Sequence, residues 1–212
     1  MRLVLNRELI VHTAVEVVER EGPGGLSMRA VGLELGVTAM AMYRHVPSKD
    51  ALIEGMAEYV MAALEVSEDE PDDWKAGARE LVRAFRAVAH EYPRSLALVL
   101  ESGTSIPVGL RAIERGLALC DRAGVQGSAA VHVVRSLMAF TLGSQLREAG
   151  FTRVLRAQDG DPAEKVRALS PARYPHVVAL PDELVDNPPD TDFEFGVELF
   201  LSSVEEMGGR TG

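Results

Sequence analysis

Residues 26–49 read LSMRAVGLELGVTAMAMYRHVPSK, and this short stretch contains three residues suited to begin a helix. The hydroxyls of Ser27, Thr38 and Ser48 can accept hydrogen bonds from the free N–H groups of a first helical turn. Gly36 can adopt the left-handed conformation that ends a helix sharply. The spacing predicts two short helices joined by a tight turn and followed at once by a third helix.

Two short helices joined by a turn that contains glycine form a helix-turn-helix, whose second helix can lie in the major groove of DNA. In an arbitrary chain such a pair is more often plain packing. Here several polar side chains lie between the predicted buried positions Val31, Met42 and Val46, where they have no packing role. We expect five side chains to face solvent or phosphate: Arg29, Tyr43, Arg44, His45 and Lys49.

The N-terminal part of the chain resembles the DNA-binding domain of the TetR family of repressors. The similarity is carried by Leu5-Asn6-Arg7-Glu8, by Gly25-Leu26-Ser27-Met28-Arg29, by Leu35-Gly36-Val37, and by Tyr43-Arg44-His45-Val46 with Lys49 and Ala51-Leu52. The resemblance implies that Ser27, Thr38 and Lys49 hold DNA phosphates. It implies contacts with bases and adjacent backbone for Arg29, Ala39, Met40, Ala41, Tyr43, Arg44 and His45.

The residues Ala39, Met40 and Ala41 depart from the tetracycline repressor, which has polar groups at these positions. Apolar side chains can read only thymine methyl groups and DNA shape. We therefore expect an operator that differs from the tetracycline operator.

Composition and patterning predict an all-α fold. The 212-residue chain is 47% apolar and contains no apolar run long enough to span a membrane. We predict an N-terminal three-helix helix-turn-helix DNA-binding domain at residues 1–48 and a larger helical ligand-binding and dimerisation domain at residues 49–212. No signal peptide is recognisable, so we expect a cytoplasmic protein, and the single Cys120 is consistent with a reducing compartment.

A net charge of −10 seems at odds with DNA binding, but the charge is unevenly distributed. Residues 1–55 carry six basic and seven acidic side chains, whereas the remainder carries 16 basic and 25 acidic ones. The C-terminal part is therefore not expected to touch DNA, while the N-terminal part can do so locally.

Helical periodicity and capping residues predict helices along most of the chain. The acidic segment at residues 67–73 is interpreted as a boundary loop, and residues 150–190 as a long, partly ordered connection. The predicted helices outside residues 26–49 are Arg7–Glu21 after the cap Asn6, Lys49–Ala63, Trp74–Glu91, Pro93–Glu101, Pro107–Ala123, Gly127–Glu148 and Thr191–Met207.

The C-terminal part is similar to the tetracycline-repressor branch of the same family, in Phe140-Thr141-Leu142-Gly143-Ser144-Gln145-Leu146 and in Phe195-Gly196-Val197-Glu198. This resemblance implies that the helices near 127–148 and 191–207 form a four-helix bundle with a second subunit in a homodimer. A monomer could instead bury these helices internally. An apolar stripe is expected to be exposed on the last helix of an isolated subunit: Phe193, Val197, Phe200 and Val204.

No catalytic residue, metal ligand or cofactor site is predicted, since the sequence has neither a phosphate-binding loop nor a nucleophile elbow and its five histidines show no metal-binding spacing. Ala139 and Arg147 stand where the tetracycline repressor holds the drug and its magnesium, and no histidine lies near Leu98. We therefore predict a largely apolar small-molecule effector. The predicted ligand-binding residues are Phe85, Val131, Val134, Arg135, Met138 and Leu142.

Arg135 shares a predicted apolar face with Val131, Met138 and Leu142. A buried guanidinium needs an acidic partner. A carboxylate of the protein would give it a structural role, whereas a ligand carboxylate would make it a selectivity residue.

These observations predict a homodimeric transcriptional repressor that binds a near-palindromic double-stranded DNA operator and is released by a small molecule, with no membrane partner. The alternative is a helical small-molecule-binding protein or enzyme that does not bind DNA. Selection of bound sequences from random DNA would separate the two classes.

Overall fold

The first four α-helices of the chain begin directly after the residues that the sequence marks as caps. The computed structural model describes residues 4–64, 71–102, 106–156, 160–186 and 188–209, and for 106–108 and 149–156 it describes the backbone alone. These residues contain no β-strand, so the all-α prediction is confirmed. The helices are α1 (Arg7–Glu21), α2 (Met28–Glu34), α3 (Ala39–Met42), α4 (Lys49–Ala62), α5 (Trp74–Glu91), α6 (Pro93–Ser102), α7 (Ile106–Arg122), α8 (Gly127–Arg156), α9 (Pro162–Arg167), α10 (Pro175–Ala179), α11 (Pro181–Val185) and α12 (Pro189–Gly209), with a 3-10 turn at Pro23–Gly25.

Four side-chain caps fix the starts of α1 to α4. Each cap accepts a hydrogen bond from the backbone N–H three residues later, which satisfies a group that the helix itself leaves free. Gly36 has a φ of 67° and lets the chain leave α2 in the left-handed conformation. The distances are 2.8 Å at Asn6, 3.0 Å at Ser27, 3.3 Å at Thr38 and 3.0 Å at Ser48.

The two helices of the helix-turn-helix lie close together because Gly32 has no side chain. A Cβ atom at this position would lie 3.0 Å from the carbonyl oxygen of Val37 and 3.3 Å from the sulfur of Met42. Met42 is fully buried, as are Val31 and Ile10. Gly32 therefore allows α3 to rest directly on α2.

The core of the N-terminal helices continues into the rest of the chain. The largest cluster of buried apolar residues contains Ile10 of α1, Val31 of α2, Leu52 of α4, Val88 of α5 and Leu96 of α6. Helix α4 packs against both α1 and α6. The packing is thus continuous across the predicted domain boundary at residue 48.

The C-terminal part is a bundle of α5, α7, α8 and α12. Helix α8 contacts each of the other three helices. Two smaller clusters of buried residues fill the bundle, one around Val82, Leu119 and Phe193 and the other around Cys120 and Val204.

Residues 150–190 are more regular than predicted. Helix α8 continues to Arg156, and three short helices begin at Pro162, Pro175 and Pro181. Proline is favourable in a first helical turn, where its missing N–H would have no partner, so each of these prolines can begin a helix. Of the acidic segment 67–73, residues 67–70 lie outside the described residues, and Asp73 caps α5 by accepting from the Lys75 N–H at 2.9 Å.

The prediction that the stripe on the last helix would be exposed is wrong. Phe193, Val197 and Val204 are buried within the chain, and Phe200 packs half-buried on Phe140 with 5.4 Å between ring centroids. The stripe is covered because α5 and α8 of the same chain pack against it. The large apolar side chains that α12 does expose include Phe195, at 67%, and Leu199, at 56%.

Helices α8 and α12 cross where Phe140 lies over Gly196. A Cβ atom on Gly196 would lie 2.2 Å from the ring of Phe140, which also stacks on Phe193 at 5.5 Å. No real side chain fits there without displacing the ring.

We expect Gly196→Ala to destabilise the protein by about 1–3 kcal/mol, although alanine is the better helix former, because the Phe140 ring must move. Urea unfolding at fixed protein concentration measures the change. Gly109→Ala in α7 is the matched control, since its Cβ would meet nothing within 4 Å. Equal stability of the two variants would contradict this packing.

An ion-pair ladder holds α12 against α5. Arg79 and Arg83 each bind a glutamate through both Nε and Nη2, the geometry that gives the strongest carboxylate pairs. Exposed pairs contribute less than about 1 kcal/mol each, so the ladder mainly sets the register of the two helices. The pairs are Lys75–Glu205 at 2.7 Å, Arg79–Glu198 at 2.6 Å, Arg83–Glu194 at 2.7 Å and Arg86–Asp190 at 2.8 Å.

The ladder predicts acid sensitivity. Hydrogen bonds from Arg83 lower the pKa of the Glu194 carboxyl, and hydrogen bonds from Arg79 lower that of Glu198, both from an ordinary value of 4.5. The ionised carboxylates therefore stabilise the folded state fully above pH 4.5, and this stabilisation is lost as the pH falls through the lowered values.

A variant with both Glu194→Gln and Glu198→Gln should be less stable than the wild type at pH 7, by up to about 2 kcal/mol for the two pairs. The difference should shrink as the pH falls below 4.5. Urea unfolding along a pH series measures it, with Glu206→Gln on the exposed side of α12 as control. A pH-independent difference would exclude the ion pairs as its cause.

Candidate functional site

The residues predicted to contact DNA form an exposed surface around α3. Ser27 and Arg29 lie at the start of α2, Thr38 at the start of α3, and Lys49 is the first residue of α4. Eight of the ten predicted side chains are exposed, and the two alanines are half-buried. The ten residues are Ser27, Arg29, Thr38, Ala39, Met40, Ala41, Tyr43, Arg44, His45 and Lys49.

The cations of this surface are unpaired among the described residues. No ion pair involves Arg29, Arg44 or Lys49 there, whereas Arg7 and Arg20 on α1 are bound to carboxylates of the chain. A free cation beside an exposed helix can neutralise a phosphate without first breaking a bond within the protein. The arrangement therefore suits contact with a polyanion.

Helix α3 presents an apolar tip. The side chain of Met40 is 76% exposed, while Ala39 packs partly against the core and Met42 is fully buried. The ring of Tyr43 is 43% exposed at the end of the helix. An exposed methionine here can contact a base methyl group but cannot pair with a base edge.

An apolar cavity lies where α4 and α6 meet the C-terminal bundle. It encloses about 1210 Å³ of space between atoms, including solvent at its opening, and no charged side chain of the described residues lines it. Its walls come from α4, α5, α6, α7, α8 and α12. Its lining residues include Met61, Trp74, Val99, Leu100, Ala112 and Thr141.

Few polar groups face this cavity. Thr141 is 1% exposed and its hydroxyl donates to the carbonyl oxygen of Leu137 at 2.9 Å, which leaves the hydroxyl oxygen as an acceptor. Burial raises the pKa of the Cys120 thiol, so this side chain stays neutral. Trp74, which carries an indole N–H, also lines the cavity. Such a lining fits an apolar molecule with one or two hydrogen-bonding groups.

Only half of the predicted ligand residues line the cavity. Phe85, Val134 and Met138 do so, whereas Val131, Arg135 and Leu142 do not. The reason is the orientation of α8. At 3.6 residues per turn, the lining residues Val134, Leu137, Met138 and Thr141 define the inner face, and the other three lie on its flank.

The expectation that Arg135 would be buried is wrong. Its side chain is exposed on α8, so it needs no acidic partner and gives no support to an acidic ligand. Ala139 and Arg147 are also exposed, and Arg147 pairs with Asp192 at 2.9 Å. Within the part of the chain described, no three His, Cys, Asp or Glu side chains are grouped to hold a metal ion.

Sequence reasoning missed the walls that α4 and α6 give to the cavity. Met61 lies at the end of α4 and Leu64 two residues beyond it, and Val99 and Leu100 lie in α6. Their helical spacing alone predicts burial and cannot separate packing from lining a cavity. Among the residues described, no helix is long and apolar enough to cross a lipid bilayer.

Two family models match the chain. Residues 10–56 match the model for bacterial regulatory proteins of the tetR family, and residues 67–207 match the tetracyclin repressor-like C-terminal domain. Tetracycline repressor protein class C of Escherichia coli is 26% identical, over 96% of this chain and 92% of the relative. The HTH-type transcriptional repressor DrrR1 of Streptomyces coeruleorubidus is 29% identical, over 96% of this chain and 78% of the relative.

Solved structures agree in fold along the whole chain. Apo ActR from Streptomyces coelicolor matches with a TM-score of 0.82 and 25% identity, and the match covers 100% of both chains. The complex of ActR with actinorhodin matches with a TM-score of 0.78 and 25% identity, over 98% of this chain and 100% of that one.

A helix-turn-helix surface joined to a helical domain with an internal cavity defines the class of DNA-binding transcriptional regulators, which are not enzymes. Within this class, the chain belongs to the TetR family and carries a tetracycline-repressor-like C-terminal domain.

The cavity should bind an uncharged apolar fluorophore such as N-phenyl-1-naphthylamine. The bound probe should quench the fluorescence of Trp74, the single tryptophan. Ala112→Phe places a ring in the cavity and should raise the dissociation constant of this probe at least about tenfold. Leu110→Phe, exposed on the same helix, is the control. Unchanged probe affinity in Ala112→Phe would mean that the probe binds elsewhere.

Proposed function

We propose that the protein is a homodimeric, ligand-responsive transcriptional repressor that binds a near-palindromic operator and is released by a small molecule other than magnesium-tetracycline. The observation that carries this proposal is the position of α4. Its first residue, Lys49, belongs to the exposed surface around α3 that holds the ten predicted DNA contacts, here called the DNA-facing surface. Met61 near the end of α4 lines the cavity, about 18 Å away given the rise of an α-helix. One helix thus belongs to both candidate sites.

The relatives support repression and release by a small molecule. The class C protein and DrrR1 are named repressors, and ActR has been solved with a small molecule bound. A ligand that favours one placement of α4 would change how well the helix-turn-helix matches DNA. Moving this equilibrium from 1:99 to 99:1 requires about 5.5 kcal/mol of differential affinity.

The inducer class follows from the cavity walls. Magnesium prefers oxygen ligands, and none of the described lining residues offers a carboxylate or an imidazole. An apolar molecule with a hydrogen-bonding group that reaches Thr141 fits this lining better than a metal complex does.

Selection of bound sequences from random double-stranded DNA tests the proposal directly. We expect an inverted repeat with half-sites about one helical turn apart to be enriched. A selection that enriches no sequence would favour the rival function, a small-molecule-binding protein that does not bind DNA.

Lys49 and Arg44 should have different effects on binding to the selected DNA. Lys49→Ala should weaken binding to all sequences about equally and lower the slope of log affinity against log salt by about one, because one phosphate contact is lost. Arg44→Ala should also relax sequence preference. Fluorescence anisotropy along a salt series measures both, and Arg7→Ala on α1, a cation already paired with Glu58, is the control. A salt slope for Lys49→Ala equal to that of the wild type would show that Lys49 does not contact DNA phosphate.

Exposed residues of α12 outside the predicted stripe support a homodimer. Phe195 and Leu199 are one turn apart and exposed, and an exposed face of α8 carries the small residues Ser136, Ala139 and Gly143. Small residues let a neighbouring helix approach closely, and large exposed apolar side chains mark an interface.

Introducing Phe195→Glu and Leu199→Glu together should shift the protein to monomers in sedimentation velocity and weaken operator binding, since a single helix-turn-helix reads too few base pairs. Leu33→Glu, at a site that is 83% exposed on α2, should leave the sedimentation coefficient unchanged. A dimer that persists in the double variant would place the interface elsewhere.

A further inference from the structure

Helix α6 begins without a cap of its own. Tyr92 precedes Pro93 at its start, and a tyrosine has no short acceptor that could reach the free N–H groups of the first turn. These groups are capped instead from α1. The carboxylate of Glu19 accepts from the Ser95 N–H at 2.7 Å and from the Arg94 N–H at 3.3 Å.

Helix α1 in turn ends on a cap supplied by α6. The guanidinium of Arg94 donates through Nη1 to the carbonyl oxygens of Glu19 and Arg20, both at 2.9 Å. These carbonyls lie in the last turn of α1, where helical partners are missing. The two helices thus cap each other across a sequence separation of about 75 residues.

The charges suit the helix ends that they meet. An anion at the start of α6 and a cation at the end of α1 are each favoured by the helix dipole. All four hydrogen bonds depend on one relative placement of α1 and α6. A displacement of α6 along or across α1 would therefore break all four bonds together. This set of four hydrogen bonds is called the α1–α6 joint.

The same helix reaches the cavity about one turn beyond this joint. Val99 and Leu100 line the cavity, and Ser95 is fully buried. Because α6 is only ten residues long, a ligand that displaces its second half also displaces its first turn. Helix α1 shares one core with α2, so a change in the position of α1 also changes the position of the DNA-facing surface.

We propose that Glu19 and Arg94 are positioning residues, and that their reciprocal cap couples the cavity to the DNA-binding helices. This inference rests on the proposed ligand-responsive function. Neither residue lines the cavity or belongs to the predicted DNA-contact set, so removing the cap should abolish the coupling while leaving binding of the ligand itself intact.

The coupling is measured with N-phenyl-1-naphthylamine as the probe and with DNA obtained by selection. The dissociation constant of the probe is determined without DNA and with saturating DNA, and the ratio of the two values is the coupling factor. The wild type should give a ratio of about ten or more, within the range usual for allosteric proteins. Glu19→Gln removes the charge and one acceptor oxygen. It should keep the affinity measured without DNA within about twofold and bring the ratio close to one.

Glu16→Gln is the matched control. Glu16 lies one turn earlier on α1, is exposed and has its carboxylate 3.7 Å from the His12 ring, away from α6, so this variant should keep the wild-type ratio. Circular dichroism checks folding. If Glu19→Gln does not fold, Arg94→Gln takes its place, with the same expected loss of coupling.

The outcomes separate this inference from the proposed function. A wild type with a ratio of one would overturn the ligand-responsive function and the coupling role together. A wild type that couples while folded Glu19→Gln or Arg94→Gln couples equally well would overturn only the role of the cap. Loss of coupling in Glu16→Gln as well would show that the effect is not specific to the joint, and would also overturn it.

Discussion

The burial of α4 between α1 and α6 is the contact on which the rest of the structure depends. Leu52, Met56 and Val60 of α4 are fully buried, and each such side chain contributes about 1.5–3 kcal/mol when it leaves water. This packing holds the helix-turn-helix on the C-terminal bundle and places Met61 at the cavity. The DNA-facing surface and the cavity therefore belong to one packed unit.

The distribution of charge reconciles an acidic chain with a DNA-binding surface. Six of the 32 acidic residues lie on α12, where four carboxylates are paired with the basic face of α5. The cations of the DNA-facing surface have no carboxylate partner among the described residues. The net charge of −10 thus describes the C-terminal bundle more than the surface around α3.

Polar side chains that cap helix ends occur in two different roles in this molecule. Within the helix-turn-helix the caps are local, such as Ser27 and Thr38, and each sets only where one helix begins. At the joint of α1 with α6, Glu19 and Arg94 cap helices distant in sequence, and therefore also set how the helices lie against each other. The first kind of cap is readable from neighbouring residues, whereas the second is visible only after folding.

The sequence by itself determined what depends on residues a few positions apart: the starts of α1 to α4, the left-handed turn at Gly36, the all-α class and the exposure of Arg29, Arg44 and Lys49. Tertiary packing decided which face of each long helix points inward. Periodicity shows that Val134, Arg135 and Met138 lie near one another on α8, but the neighbouring helices fix the rotation that turns Val134 toward the cavity and exposes Arg135. For the same reason α12 buries Phe193 and exposes Phe195, since the burial of any stripe depends on partners that lie far away in sequence.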